Sequence, residues 1–413
     1  MREMKDSGIE WFGEIPAGWK KVRIGSLYMF RNTRVNDRDY PPLSVTMKGI
    51  LPQLETAAKS NAHDDRKLVC KGDFVINSRS DRRGSCGISS YYGSVSLINT
   101  VLAPRSDMNP VYYNWLFHTT EFSDEFYKWG HGIVDDLWTT GWQDMKKIFI
   151  PVPPLSEQNA IANYLDKKCA EIDKLTADIK TQIEVLENYK CSIITETVTK
   201  GLNPNVEMKD SGVEWFGEIP ADWEIHPVYY YFGERKHKNT FGKESNLLSL
   251  SYGKIIRKDI NTNDGLLPES FNSYNIVEAE DIIIRPTDLQ NDKRSLRTGL
   301  ATERGIITSA YIALMPIKSV NTAYYHYLLH AFDVMKVFYN MGSGVRQGLN
   351  FPEFSKLMLF EPSLEEQNVI VNFLDDKCAE IDKIIADKNE QLAALEEYKK
   401  SLIYEYVTGK KSV

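Results

Sequence analysis

Arginine and lysine concentrate in four short stretches. They are RNTRVNDR (31–38) with Arg31 and Arg34, NSRSDRRGSC (77–86) with Arg79, Arg82 and Arg83, ERKHKN (234–239) with Lys236 and Lys238, and RPTDLQNDKRSLRT (285–298) with Arg285, Lys293, Arg294 and Arg297. Such side chains neutralise phosphates, and Arg, Asn and Gln also pair bidentately with base edges. A single basic run usually reports only a solvated face. Here the second and fourth stretches follow related strand-like runs, Gly72-Asp73-Phe74-Val75-Ile76 and Glu280-Asp281-Ile282-Ile283-Ile284, and the first and third form another such pair. Equivalent places with changed residues are what recognition loops require. Arg346 and Gln347, after Gly342-Ser343-Gly344, join these candidates, although a Gly-x-Gly is equally well a turn.

Other chemistries lack their residues. The chain has no Gly-x-x-x-x-Gly-Lys-[Ser/Thr] phosphate loop. Asn109-Pro110-Val111-Tyr112 approaches an aminomethyltransferase motif, but its third residue is wrong and no glycine-rich strand–helix turn precedes it; a helix start is the better reading. His326 and His330 stand one helical turn apart without an evident third ligand, so no metal is expected. No Cys-x-x-Cys occurs among the five cysteines, and their odd number and scatter point to a reducing, cytoplasmic setting. No catalytic constellation emerges.

The formal net charge is −7 over 413 residues. Residues 155–199 carry −3 and residues 364–408 carry −6, which leaves the rest of the chain at +2. The acid is therefore segregated, and the total does not exclude an anionic partner for the remainder. No apolar run reaches the length of a membrane span, and the opening residues MREMKDSG lack the apolar core of a signal peptide.

The elements that must position the basic stretches occur twice. MKDSGIEWFGEIPAGW (4–19) returns as MKDSGVEWFGEIPADW (208–223), with 14 of 16 residues identical. LSEQNAIANYLDKKCAEID (155–173) returns as LEEQNVIVNFLDDKCAEID (364–382), with 14 of 19 identical. The intervening middles diverge but keep landmarks in order, including Tyr112-Tyr113 with Tyr324-Tyr325 and Gly130-His131-Gly132 with Gly342-Ser343-Gly344. Near-identical connectors around diverged middles mean that one thing grips the connectors while the middles face different things. The middles read as short strands with one helical stretch each, near 111–128 and 322–339. Prolines close each middle, and Ser156 and Ser363 offer helix caps beyond them.

Each long helical segment has a seven-residue repeat. In the first it runs Gln158, Leu165, Ile172, Ile179, Leu186, Ile193, and in the second Gln367, Leu374, Ile381, Lys388, Leu395, Leu402. Positions three residues on (Ile161, Lys168, Leu175, Gln182, Tyr189, and Ile370, Lys377, Ile384, Gln391, Tyr398) are expected to complete the seam, with matched polar residues setting register. The expected core of the pair is Leu165, Ile172, Ile179 and Leu186 against Leu374, Ile381, Leu395 and Leu402, packed antiparallel as a ruler.

The opening motif MKDSGIEWFGEIPAGW, the run PPLSEQNAIANYLD and the helix ending SIITETVTKGL together resemble the specificity subunit of type I restriction–modification systems, across essentially the whole chain. One departure is Glu361-Pro362-Ser363-Leu364 where the first copy has Pro153-Pro154-Leu155. The resemblance implies an α+β chain with two mixed α/β target recognition domains separated by two long antiparallel coiled-coil helices, in a circular, pseudo-two-fold duplication. The expected boundaries are 1–154 (first recognition domain), 155–207 (first helix and linker), 208–363 (second recognition domain) and 364–413 (second helix). It implies a non-catalytic subunit whose domains each read one half of a bipartite DNA target. Its implied partners are double-stranded DNA, two modification subunits and restriction subunits. S-adenosylmethionine, ATP and Mg belong to those partners, and no cofactor is expected in this chain. Trp11, Phe12, Trp215 and Phe216 are assigned to the seam between helix and opening motif, as packing or partner-contact residues. The competing reading is a two-domain adaptor that binds protein on an acidic helical scaffold. An enzyme with an unrecognised site ranks third.

Overall fold

A computed structural model describes the chain except for residues 1, 54–62, 106, 133–137, 214–215, 262–269, 288, 290–295, 338–340 and 342–347. Trp215, Lys293, Arg294, Arg346 and Gln347 lie outside the described residues, as does the run 342–344.

Two helices dominate, Leu155–Lys200 and Leu364–Val407. The chain divides into two compact units that do not follow chain order. One comprises Met1–Lys180 with Asn389–Val413, and the other comprises Thr181–Lys388. Each unit therefore holds one middle, the start of the helix that follows it, and the end of the other helix. The circular duplication expected from the sequence is this arrangement.

In the first unit a four-stranded antiparallel sheet runs Cys86–Ile88, Phe74–Asn77, Asn99–Pro104, Tyr28–Phe30. In the second unit the counterpart runs Thr298–Leu300, Ile282–Ile284, Ile312–Pro316, Phe232–Glu234, also antiparallel. Central strands such as FVIN, NTVLAP, III and IALMP are apolar on both faces because both faces are covered. The expected helix over 111–128 is two, Pro110–Phe117 and Thr120–Lys128, because the Thr119 side chain accepts from the Phe122 amide and caps a new start. The second middle has Thr322–Val334 without that interruption. Ser363 caps its helix by accepting from the Glu366 amide at 3.2 Å. Ser156 does not cap: the first helix already begins at Leu155, and Pro154 stands where Ser363 stands in the second copy.

The duplicated motifs make duplicated clamps. Asn109 and Asn321 cap the middle helices with their side chains. Their backbone amides donate to Gln158 and Gln367 on the long helices, at 2.9 and 3.0 Å. Those two glutamines are buried and donate back to the carbonyls of Pro153 and Pro362. The indole N–H of Trp19 reaches Glu157 at 3.0 Å, and that of Trp223 reaches Glu366 at 3.1 Å. The Tyr112 hydroxyl donates to the Val407 carbonyl and the Tyr324 hydroxyl to the Val198 carbonyl, so each middle also grips the end of the helix it does not precede. Each bond adds roughly 1 kcal/mol, while burying Trp19 and Trp223 adds about 2–3 kcal/mol apiece. Residue identity persists in the connectors because nearly every residue of the clamp has a partner there.

The helix pair is antiparallel in each unit. In the first, Lys399 meets Asp173 and the Tyr164 ring lies 4.5 Å from that of Tyr406. In the second, Lys190 meets Asp382 and Lys388 donates to Gln182. Leu165, Ile172, Ile179, Leu374, Ile381 and Leu402 are buried and Leu186 and Leu395 half-buried. Ile161 and Ile370 are buried as expected, but beyond them the second seam position is one residue later than the spacing predicts. Ala162, Cys169, Thr176, Ile183 and Lys190, with Val371, Cys378, Ile385, Leu392 and Lys399, turn inward, whereas Leu175, Tyr189, Ile384 and Tyr398 are exposed. Lys168 and Lys377 are not in the seam; each pairs with an acid three residues on, Glu171 and Glu380. A seven-residue repeat admits either a three- or a four-residue second step.

Candidate nucleic-acid interface

The basic candidates divide by what their side chains touch. Arg31 is a structural residue: its guanidinium makes a bidentate pair with Asp73, at 2.6 and 3.1 Å. Asp73 is buried and also accepts from the Cys70 amide. That hydrogen bond to Asp73 pushes the Arg31 pKa up. Arg235 does the same for Asp281, with its second nitrogen at 3.0 Å. Burial raises the Asp281 pKa even though Arg235 and the Glu278 amide oppose the shift. Asp73 and Asp281 are thus buried anchors of the turns that lead into the central strands.

Arg297 is a correction. Its side chain is fully buried, with 0% exposure, so it cannot meet DNA. Its amide donates to Asp333 at 2.6 Å and its guanidinium to the Thr287 carbonyl at 2.5 Å, while Nε lies 3.9 Å from Asp333. It fastens the basic segment to the helix Thr322–Val334 from within. Charge counted along a loop does not reveal a buried acid 36 residues away.

The remaining candidates present charge to solvent. Arg34 pairs with Asp65, Arg79 and Arg82 with Asp81, and Arg83 with Asp124 while lying over the Tyr127 ring at 5.1 Å. Lys236 pairs with Glu234, and Lys238 donates to the Ser273 carbonyl. Exposed pairs of this kind contribute about 0–1 kcal/mol, so a phosphate can replace the carboxylate at little cost. The turn Ser80–Arg82 is tied to the segment that follows residue 137. The Ser80 amide donates to the Trp138 carbonyl and the Thr140 amide to the Ser78 carbonyl, and Thr139 pairs with His131. The structure therefore brings Arg79, Arg82, Arg83 and the Gly130-His131-Gly132 landmark to one surface. Arg285 begins the corresponding loop of the second unit, its amide bonded to the Arg297 carbonyl.

Trp11 and Phe12 are core residues of the first unit, Trp11 donating to the Phe149 carbonyl. Phe216 is partly buried and packs on Phe332 and Phe360. These side chains pack the opening motifs rather than facing outward. His326 and His330 are held low, both near pKa 4, chiefly by burial, and no third ligand joins them among the described residues. Glu224, His226 and Glu361 are the one described group whose ligand atoms lie close together. The imidazole Nε2 lies between the two carboxylates, 2.9 Å from Glu224 and 3.6 Å from Glu361.

Two hairpins stand beside the basic loops without any basic run or repeat to mark them in the sequence. Leu43–Thr46 pairs with Gly49–Pro52 in the first unit, and Leu247–Ser251 pairs with Lys254–Lys258 in the second. Each docks beside the strand that follows the basic loop. The signal available was a Met-Lys-Gly and a Tyr-Gly-Lys turn at equivalent places.

The model for the type I restriction modification DNA specificity domain matches residues 16–185 and 238–394. The MjaVIII type I restriction enzyme specificity subunit of Methanocaldococcus jannaschii is 23% identical over 427 aligned positions, covering 96% of this chain and 93% of that protein. A second protein of that organism, named "Putative type I restriction enzyme MjaX specificity subunit", is 28% identical over 272 residues; the match spans 64% of this chain and 60% of that relative. Among solved structures, one from work on complex assembly and conformational transition of the type I R-M system has a TM-score of 0.71 at 14% identity, covering 96% of this chain and 99% of its own. The HsdS subunit from Thermoanaerobacter tengcongensis has a TM-score of 0.51 at 16% identity, covering 96% and 98%. At these identities the likeness is one of fold.

Proposed function

The chain belongs to the family of type I restriction modification DNA specificity domains, and from that premise we propose that it is the sequence-specificity subunit of a type I restriction–modification complex. Each middle reads one half of a bipartite DNA target, and the helix pair sets the gap between the halves. The observation that carries this reading is the duplicated clamp. Matched bonds from Asn109, Trp19 and Tyr112, and from Asn321, Trp223 and Tyr324, hold two surfaces whose loops differ. Identical mounting with different faces serves a reader of two unlike half-sequences.

Two modification subunits dock equivalently, one per half, and carry the chemistry: adenine methylation from S-adenosylmethionine, with ATP and Mg serving restriction subunits. Support comes from the exposed apolar residues beside the seam, Leu175 with Tyr398 in the first unit and Tyr189 with Ile384 in the second. Exposed apolar residues repeated at equivalent places favour a repeated partner. The chain itself needs no cofactor in this scheme. A cytoplasmic setting fits its five free cysteines, and no described helix is long and apolar enough to cross a membrane.

A chain carrying the first middle in both places tests the reading. With the modification subunits added, it should methylate a target whose two halves are inverted copies of one sequence. Retention of the original asymmetric target would refute it. An adaptor that binds only protein would show no preference in filter binding with mixed duplexes.

A further inference from the structure

Tyr252 is the most exposed large apolar side chain described, at 86%, and it sits at a hairpin tip with φ +45°. A bulky residue in the left-handed region is an outlier, and a two-residue hairpin turn built for folding alone favours Asn-Gly there. The turn closes the hairpin with positive φ at both central residues, a geometry that Asn-Gly meets with less strain, and the exposed ring adds nothing to packing. The tip continues into Gly253 and the exposed Lys254, which lies 4.0 Å from Asp382, and Arg257 and Lys258 extend the basic character along the strand. In the first unit the equivalent tip is Met47-Lys48-Gly49, with Met47 73% exposed and Lys48 exposed.

Both tips adjoin the basic loops. A Cβ added at Gly253 would lie 3.0 Å from Cδ1 of Leu296, inside the stretch 285–298, and one added at Gly299 would lie 2.6 Å from Leu250 on the hairpin. In the first unit a Cβ added at Gly87, just past the stretch 77–86, would lie 2.8 Å from Cα of Gly49. Hairpin and the end of the basic stretch therefore meet in each unit, and exposed lysines of the hairpin, Lys48 in the first and Lys254 and Lys258 in the second, stand beside a protruding apolar side chain whose identity differs between the two.

Resting on the reading of the chain as a DNA specificity subunit, we propose that the two hairpin tips are specificity-determining elements that enter the DNA. Tyr252 lays its ring against a thymine methyl in the major groove of the half-target read by the second domain, and Met47 makes the corresponding apolar contact in the other half. Contact with a base edge explains why exposure is tolerated, because the ring left bare by folding is covered by the thymine methyl. The flanking charge favours a polyanion over an apolar protein surface as the occupant.

The test uses the full chain with its modification subunits, a duplex library randomised in both half-targets, and sequencing of the methylated fraction. Tyr252→Ala should leave the melting temperature unchanged and lower discrimination at one position of one half roughly tenfold, with the other half unaltered. Tyr252→Phe should keep the preference, since the ring and not the hydroxyl makes the contact. Met47→Ala should act on the opposite half. The proposal is overturned if Tyr252→Ala selects the same bases with the same weights. It is equally overturned if that variant loses assembly with the modification subunit while base preference persists, since the tip is then a protein contact. A parent complex that selects no bipartite sequence defeats the specificity reading itself, and the parent arm reports this before any variant is read.

Discussion

Ile172 and Leu175 lie three residues apart on one helix, and the sequence spacing offers both to the seam. Ile172 is 8% exposed and belongs to the core of the first unit, whereas Leu175 is 47% exposed. Truncating Ile172 to Ala removes buried methyl groups and leaves a cavity, at about 2–3 kcal/mol for a site with some room to relax. Leu175→Ala removes surface already in water and should change stability by no more than about 0.5 kcal/mol. In a unit of about 200 residues, where 1 kcal/mol moves the melting temperature by ~2–4 °C, Ile172→Ala should lower it by about 4–12 °C and Leu175→Ala by less than ~2 °C. Circular dichroism at 222 nm during a thermal scan reads both. Leu175→Ala combined with Tyr398→Ala should instead weaken capture of the modification subunit, measured by calorimetric titration at a temperature where both variants are folded. Equal destabilisation by Ile172→Ala and Leu175→Ala would refute the seam register described here and return Leu175 to the core.

Three further outcomes follow from the geometry. His326 and His330 are held near pKa 4 against about 6.5 unfolded, so the unfolded chain binds more protons between those values and stability falls as pH drops from 6.5. Lowering the pH to 5 should cost up to about 2 kcal/mol per histidine in urea titrations, and His326→Gln with His330→Gln should flatten that slope. Arg297→Ala should destabilise the second unit by about 3–5 kcal/mol, because it leaves Asp333 buried without its cation, while Arg82→Ala, at an exposed site beside Asp81, should change stability little and weaken DNA binding. Inserting four residues after Gln182 adds about 6 Å of helix and roughly one turn, so methylation mapping should find both half-sequences unchanged and the gap widened by one or two base pairs; an unchanged gap would assign spacing to the recognition domains or the partners.

The duplication, the two helices and the antiparallel seam were legible because they are periodic, and periodicity survives without knowledge of contacts. The second seam position was not. Leu175 and Tyr189 are larger and more apolar than Thr176 and Lys190, and only the partner helix shows which face is covered. Arg31 and Arg34 illustrate the same limit in the candidate interface. Three residues apart and alike in charge, one is held by Asp73 from the buried side of a turn and the other pairs with Asp65 at the surface. Arg297 was misplaced for that reason too. Tyr252 and Met47 carry no charge to mark them in the sequence, and what sets them apart is exposure, with a positive φ at Tyr252, which exist only in the folded chain.

Methylation mapping of DNA from cells that contain the modification subunits, with and without this chain, tests the central claim most directly. The account predicts that the chain introduces methylated adenines in one bipartite sequence with a fixed gap. Replacing Arg79, Arg82 and Arg83 by Ala should then alter one half, and Tyr252→Ala the other. A pattern independent of the chain, an uninterrupted target, or both halves changing with either replacement would contradict it.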